Sequence, residues 1–319
     1  MVLSNYEMLA DKERVKAFQR AIFETVKKGD IVVDLGTGIG ILAFFAVQAG
    51  AKRVYAIEQG DIIKVAKEIA VKNGMSNKII FLKGDSREIS IPEKADLLIS
   101  EIIGCFALDE GILELVSDAK ERFLKEKGII IPNSFKMWLA PLEAEEIYNQ
   151  KVAFWEIPYG VDFSPAKERV INCTWSEEIK KTNFISKPKI INEVDLQKVE
   201  NIEMNKVVTF SVERDSILHG FCGWFEAKLS KGVLLSTAPD GPLTHWRQLF
   251  FPVKEPIKLD KEDKITARVS TTRLGRSVVY NWFIDIESNG ENIIRSNHSA
   301  LLGLLSLSGT GLPRIRYGV

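Results

Sequence analysis

Residues Gly29–Glu58 read GDIVVDLGTGIGILAFFAVQAGAKRVYAIE. The apolar run Ile31–Leu35 enters a glycine-rich turn, Gly36-Thr37-Gly38-Ile39-Gly40. A helical pattern, Ile41–Ala49, follows, and Gly50 can close it; a second apolar run, Val54–Ile57, ends on Glu58. Strand, tight turn, helix and strand in that order form the first half of a nucleotide-binding α/β sheet. Glycine permits turn conformations that a Cβ forbids and lets a ligand approach the backbone.

The spacing is D-x-G-x-G-x-G, not the dinucleotide pattern GxGxxG. A pyrophosphate is held by bare amides at a helix N-terminus, and Asp34 beside the turn opposes such an anion. Glu58 stands where one carboxylate can accept hydrogen bonds from both hydroxyls of a ribose. A ligand with a ribose, no phosphate and a positive charge fits, and S-adenosyl-L-methionine has all three properties. The plainer alternative is an ordinary βαβ turn with solvated acids.

A length of 319 residues suggests about two domains. Apolar residues make up 45%, enough for two cores. Lysine plus arginine and aspartate plus glutamate both number 43, which argues against a strong nonspecific nucleic-acid footprint. Cys105, Cys173 and Cys222 are odd in number and far apart, with neither metal-ligand nor disulfide spacing. A reducing compartment follows, and no metal is expected. Met1–Arg20 is charged and lacks the apolar core of a signal peptide. No apolar run approaches a membrane span. The expected setting is cytoplasmic, without membrane contact.

Along the chain, Leu3–Val26 has an amphipathic helical period, with Leu9, Val15, Phe18, Ile22 and Val26 on one stripe. Ile63–Val71 is helical, and Lys78–Leu82 is a strand leading to Gly84-Asp85-Ser86. Polar residues at the carboxyl end of a strand are where open α/β sheets hold ligands, so Asp85 and Ser86 either read an adenine edge or form a simple polar turn. The strand Ala95–Ser100 delivers Glu101 at its end. A loop carrying Gly104 leads to Glu110, the helix Gly111–Phe123 and the strand Gly128–Pro132. Beyond Ser134 short β-rich runs take over: 207–212, 221–227, 232–236, 249–253, 264–269 and 278–286. Turn residues between them, including Pro239-Asp240-Gly241-Pro242 and Ser288-Asn289-Gly290, suggest a sandwich or a barrel. Phe154–Lys189 fits neither period and reads as an insertion, an arm or a lid.

These pieces together resemble the protein arginine N-methyltransferases. The resemblance rests on the glycine turn with Glu58, on Ser100-Glu101…Gly104…Glu110, an acidic pair nine residues apart, and on Thr244-His245-Trp246. Tyr6-Glu7-Met8-Leu9-Ala10-Asp11-Lys12-Glu13-Arg14 also looks like the family's E-M-L-x-D-x-x-R stretch, and Leu235–Pro239 like its approach to the Thr-His-Trp loop. The resemblance implies a class I methyltransferase Rossmann-like sheet over residues 1–133. An all-β barrel domain over 134–319 would follow, with a helical arm insertion at about 160–190.

It also implies that the methyl donor lies over Gly36, Thr37, Gly38, Gly40 and Ile41. Glu58 and Gln59 would be on the ribose side, Asp34 near the donor's amino end, and Asp85 and Ser86 towards the adenine. Arg14 would grip the donor carboxylate, a role suited to a guanidinium fork. Glu101 and Glu110 would clamp the acceptor guanidinium, with Met8 and Trp246 beside it. Two carboxylates can orient that cation and take its proton, and the product would be S-adenosyl-L-homocysteine. His245 and Asp11 match a His–Asp pair that either tethers the two halves or relays the proton. The acceptor would be an arginine-containing protein or a guanidino small molecule, and the arm implies a homodimer, against a monomer with a folded-back insertion.

Three departures qualify these expectations. Only five residues precede Tyr6, so the family's tyrosine-rich helix has no counterpart in the sequence. The S-E-W-M-G-Y loop reads Ser100-Glu101-Ile102-Ile103-Gly104-Cys105, which removes aromatic surface that would stack on a guanidinium. Arg87 stands where the family often has a glutamate. The alternatives are a methyltransferase acting on another amine or a hydroxyl, and a donor-binding regulatory protein without turnover.

Overall fold

The structure is a computed structural model that describes residues 2–198, 203–275, 277–288 and 291–300. The expected turn at Ser288-Asn289-Gly290 runs outside the described residues.

The first part runs α1 (Val2–Ala10), α2 (Lys12–Thr25), β1 (Ile31–Leu35), α3 (Ile41–Ala49), β2 (Arg53–Glu58), α4 (Ile63–Lys72), β3 (Ile79–Lys83), β4 (Ala95–Ser100), α5 (Ile112–Phe123) and β5 (Leu124–Ile131). The strands form one parallel sheet in the order β3-β2-β1-β4-β5. The central strand β1 is buried along its whole length, as a strand covered on both faces must be. The order reverses between β1 and β4, and such a switch point opens a crevice at the carboxyl ends of the strands. Those ends carry the glycine turn and Glu101. Helix α3 is apolar nearly all round and lies in the core.

Leu3–Val26 is not one helix. It breaks at Asp11, whose extended backbone (ψ 91) ends α1. The Asp11 carboxylate accepts the Arg14 amide at 2.9 Å and so caps α2. An aspartate three residues ahead of that amide satisfies a donor that a new helix would otherwise leave bare.

From Ser134 the pairing becomes antiparallel. The elements are β6 (Ser134–Leu142), α6 (Glu145–Lys151), α7 (Ser164–Val170), β7 (Trp175–Glu177), β8 (Lys189–Asp195), β9 (Asn205–Ser211), β10 (Ser216–Lys228), β11 (Leu234–Ser236), β12 (Gln248–Leu259), β13 (Lys264–Leu274), β14 (Ser277–Ser288) and β15 (Glu291–Ser299). One sheet has the order β7-β12-β10-β6-β8, with β11 on β10, and the other has β15-β14-β13-β9. Alternate residues of β13 and β14 (Ile265, Ala267 and Val269; Tyr280, Trp282, Ile284 and Ile286) are buried, the period of a half-buried strand. Aromatic rings join the two sheets: Phe251 meets Trp282 at 5.4 Å and Phe210 meets Phe221 at 6.3 Å between centroids. The expected barrel is therefore a barrel-like pair of facing sheets. Among the described residues no strand pairing closes them into one cylinder.

Between α6 and α7 the chain forms single-turn helices at Ala153–Trp155 and Pro158–Gly160. This segment holds apolar side chains in solvent: Ile157 is 67% exposed and Tyr159 96%.

Candidate active site

The turn after β1 has positive φ at Gly36 (76°), Gly38 (53°) and Gly40 (92°), where an L side chain is strained. The Gly36 and Thr37 amides donate to the Ile57 carbonyl at 2.9 and 3.0 Å, binding the turn to β2. Glu58 is fixed from two sides, because its Oε2 accepts the Gly38 amide at 3.1 Å and its Oε1 the Gly60 amide at 2.6 Å. Gln59 lies exposed just beyond it, and Ile41 is half-buried at the start of α3. Above the turn sit Asn5 of α1 and Ile102 of the acidic loop. A Cβ on Gly38 would lie 3.1 Å from Asn5 Oδ1, and one on Gly36 would lie 2.8 Å from Ile102 Cγ1.

Asp34, expected near the donor's amino end, is 0% exposed and lies beneath the turn. Its Oδ2 accepts the Thr37 hydroxyl at 2.5 Å, which explains why Thr37 is buried too. The Ala43 amide favours the charge, yet Oδ1 has no donor at hydrogen-bond geometry. Desolvation dominates and pushes the pKa up to about 7. Thr37 and Ala43 oppose the rise, the Glu58 charge adds to it, and Arg14 opposes it.

Beyond β3, the oxygens of Asp85 hold Arg87, at 3.0 Å to Nε and 2.7 Å to Nη2. Arg87 reaches on to Glu114 at 3.0 Å, which Arg273 of β13 also contacts at 2.7 Å. The polar edge there is a carboxylate–guanidinium pair, with Ser86 buried behind it.

Glu101 leaves β4 only 7% exposed and is met by Arg14. Arg14 Nε donates to Glu101 Oε2 at 2.8 Å, Nη2 donates to the same oxygen, and Nη1 donates to the Met8 carbonyl at 2.9 Å. Met8 thus contributes its backbone here. Glu110 keeps solvent access, but protein hems in its carboxyl. That desolvation, joined by the charges of Glu101 and Asp109 and opposed by Arg14, pushes its pKa up to about 8. Glu101, Glu110 and Arg14 therefore lie within one electrostatic neighbourhood, at the switch point beside the glycine turn.

The other half of the protein holds this neighbourhood in place. Asp11 Oδ2 accepts both the His245 amide and its ring Nδ1, each at 2.9 Å. Burial disfavours the Asp11 charge, but the His245 ring, the Arg14 amide, the His245 amide and the His245 charge together bring its pKa below the ordinary value. Trp246, expected beside the acceptor, is 2% exposed, and its indole N–H donates to the Ile103 carbonyl at 2.7 Å. It braces the acidic loop from beneath and packs edge-on against Phe225.

Two contributors have no local signal in the sequence. The Asp109 carboxylate turns back onto the amides of Cys105 and Phe106, and Tyr280 of β14 reaches the same loop. Tyr280 lies too far along the chain for any spacing argument to pair them. Among the described residues no group of His, Cys, Asp and Glu could hold a metal ion.

Comparison with known proteins gives the same picture. Residues 133–280 match the family described as the arginine methyltransferase oligomerization subdomain, and residues 16–134 match ribosomal protein L11 methyltransferase. Protein arginine N-methyltransferase 2 of Xenopus tropicalis is 34% identical over 308 residues, covering 90% of this chain and 71% of that protein. Protein arginine N-methyltransferase 1 of Schizosaccharomyces pombe is 33% identical over 272 residues, covering 83% and 80%. The crystal structure of Arabidopsis thaliana protein arginine methyltransferase 10, in an open conformation, superposes with a TM-score of 0.82 at 28% identity, covering 93% and 97%. The Trypanosoma brucei PRMT1 enzyme-prozyme heterotetrameric complex with AdoHcy shares the fold, with a TM-score of 0.84 at 24% identity, covering 92% and 96%. With relatives of that identity matched over most of both chains, this chain belongs to the protein arginine N-methyltransferase family.

Proposed function

We propose that this protein transfers the methyl group of S-adenosyl-L-methionine to a guanidino nitrogen of arginine, in a protein or a smaller guanidino acceptor. One observation carries the reading: Glu101 already holds a guanidinium, that of Arg14, at the carboxyl end of β4, with Glu110 close enough for its charge to be felt. A carboxylate pair so placed is built to receive a second guanidinium.

The donor supplies an electrophilic methyl group on a sulfonium. The residues present suit such a ligand, since Gly36, Gly38 and Gly40 contribute no side chain to the turn. Glu58, aligned by two amides, has the remaining lone pairs for ribose hydroxyls. Arg14 offers the fork for a carboxylate. On the acceptor side, Glu101 and Glu110 fix the guanidinium plane and keep lone-pair density on the nitrogen that attacks. That nitrogen must lose a proton, and Glu110 can take it. Its raised pKa makes it a stronger base than an ordinary carboxylate, and an arriving cation draws it into the ionised form. Asp11 and His245 hold the two halves around this point. We assign them a tethering role, because the Asp11 oxygens are taken up by α2 and the His245 loop.

We further propose a homodimer made through the arm. The exposed Ile157 and Tyr159 support it, as does the match to an oligomerization subdomain. The cytoplasm is the proposed setting, on the free thiols of Cys105, Cys173 and Cys222.

Incubation with labelled donor and an arginine-bearing peptide array, followed by acid hydrolysis, tests the reading. Methylarginine supports it. Label on another residue redirects it to another acceptor, and donor binding without transfer makes the protein a donor-binding regulator. Glu110→Gln should lower turnover by about a hundredfold or more while donor binding persists; retained turnover would remove Glu110 from the mechanism.

A further inference from the structure

The segment between the two glutamates is tied by groups that the reaction scheme leaves unused. Asp109 is 4% exposed. Its Oδ2 accepts the Cys105 amide at 2.9 Å, its Oδ1 the Phe106 amide at 3.1 Å, and its carbonyl the Val278 amide at 3.0 Å. Gly104 is required by this arrangement, because a Cβ there would lie 2.1 Å from Asp109 Cγ. Ala107 takes a left-handed conformation (φ 65°) that an alanine seldom adopts unsupported. Support comes from the other half of the protein. The Tyr280 hydroxyl donates to the Phe106 carbonyl at 2.5 Å and accepts the Leu108 amide at 3.2 Å. Its ring packs on Phe106, with centroids 5.3 Å apart.

Glu110 follows Asp109 directly and precedes Gly111, itself left-handed at φ 78°. Consecutive Cα atoms are only about 3.8 Å apart, so the tethers on Asp109 restrain the backbone from which Glu110 starts. We propose that Asp109 and Tyr280 are positioning residues that together set the direction in which Glu110 presents its carboxylate to the acceptor. The inference rests on the proposed arginine methylation, and it adds two residues that touch neither donor nor acceptor. The charge of Asp109 also acts on Glu110, consistent with one unit serving both aim and basicity. Tyr280 belongs to β14, so the four-stranded sheet takes part in aligning a carboxylate carried by the parallel sheet.

Tyr280→Phe and Asp109→Asn, each in the full chain, test this. The readouts are S-adenosylhomocysteine affinity by calorimetry, kcat and KM on an arginine peptide, and hydrogen exchange at the amides of residues 105–108. The expected result is donor-product affinity within about twofold of wild type, kcat lower by about tenfold to a hundredfold, and faster exchange at those amides. Asp109→Ala should fall below Asp109→Asn, which keeps the shape and one acceptor. Unchanged kcat overturns the proposal, and so does a loss of kcat matched by an equal loss of donor-product affinity, which marks general damage. If the wild type binds S-adenosylhomocysteine but methylates no arginine peptide, the arginine reading fails on its own. Exchange then decides the positioning claim: unchanged exchange in Tyr280→Phe overturns it, and faster exchange supports it.

Discussion

Replacing Asp34 by asparagine should make the protein more stable at alkaline pH than at acid pH relative to wild type. The Asp34 carboxyl is raised from 3.8 to about 7, chiefly by desolvation. A carboxyl whose folded pKa exceeds its unfolded value leaves the native state holding more protons between the two, so wild-type stability falls as pH rises through that window. Each unit is worth about 1.4 kcal/mol, and a shift of roughly three units therefore costs about 4 kcal/mol once pH is above 7. Between pH 5 and pH 8 the part still to be lost is about 2–3 kcal/mol. Asparagine does not titrate. It keeps an oxygen for the Thr37 hydroxyl and places an NH2 at the Oδ1 position, which adds a constant offset that pH does not change. Urea unfolding of both proteins at pH 5 and pH 8 isolates the effect, since every other titrating group is common to the two. The difference in unfolding free energy should move in favour of the variant by about 2–3 kcal/mol across that interval. A difference that stays constant with pH would refute the burial argument for Asp34. Because the side chain lies beneath the turn, affinity for S-adenosylhomocysteine should change by less than about 1.4 kcal/mol, a factor of ten.

Trp246→Phe removes the indole N–H from a buried carbonyl, that of Ile103, and should cost about 1–3 kcal/mol in urea unfolding with a parallel fall in kcat. Tyr159→Arg on the exposed arm should turn the proposed dimer into a monomer in light scattering while shifting unfolding free energy by no more than about 0.5 kcal/mol. Arg14→Lys keeps a charge but loses the fork shared between Glu101 and an incoming carboxylate. Donor affinity should fall by about tenfold, and any mutual strengthening of donor and acceptor binding, equal in both directions by linkage, should vanish in paired titrations.

What the sequence made legible follows the range of the forces involved. The turn at Gly36–Gly40 was readable because three left-handed backbone positions close together demand glycine, and an apolar run on each side demands buried strands. Glu101 was readable as a strand-end acid, whereas its pairing with Glu110 came from the family resemblance, because an acid just before a helix is on its own an ordinary N-terminal one. The break at Asp11 was not read, although its signal was present. An aspartate three residues before Arg14 caps a helix, but the apolar stripe on either side hides the interruption when period alone is followed. The bond from Trp246 to the Ile103 carbonyl was not legible, because a tryptophan beside His245 has the same local pattern whatever its indole N–H meets. For Asp34 the position beside the turn was legible, but its depth beneath it depends on Thr37 and on the packing of α3.

Tyr280 and Asp109 lie beyond such reasoning altogether. Their partnership is made by β14 crossing to the acidic loop, through contacts between residues more than 170 positions apart. Asp11 with His245, Ile103 with Trp246 and Glu114 with Arg273 repeat the pattern. In each, a group of the parallel sheet or its helices is held by one from an antiparallel sheet or the loop before β12. The motifs that name the chemistry are local, whereas the geometry that holds two carboxyl groups at one site is assembled from both halves. A buried or hemmed-in carboxylate is costly on its own. Here Arg14, the loop amides and the hydroxyl of Tyr280 divide that cost, so the precision of the acidic loop depends on how the two halves dock as much as on the loop itself.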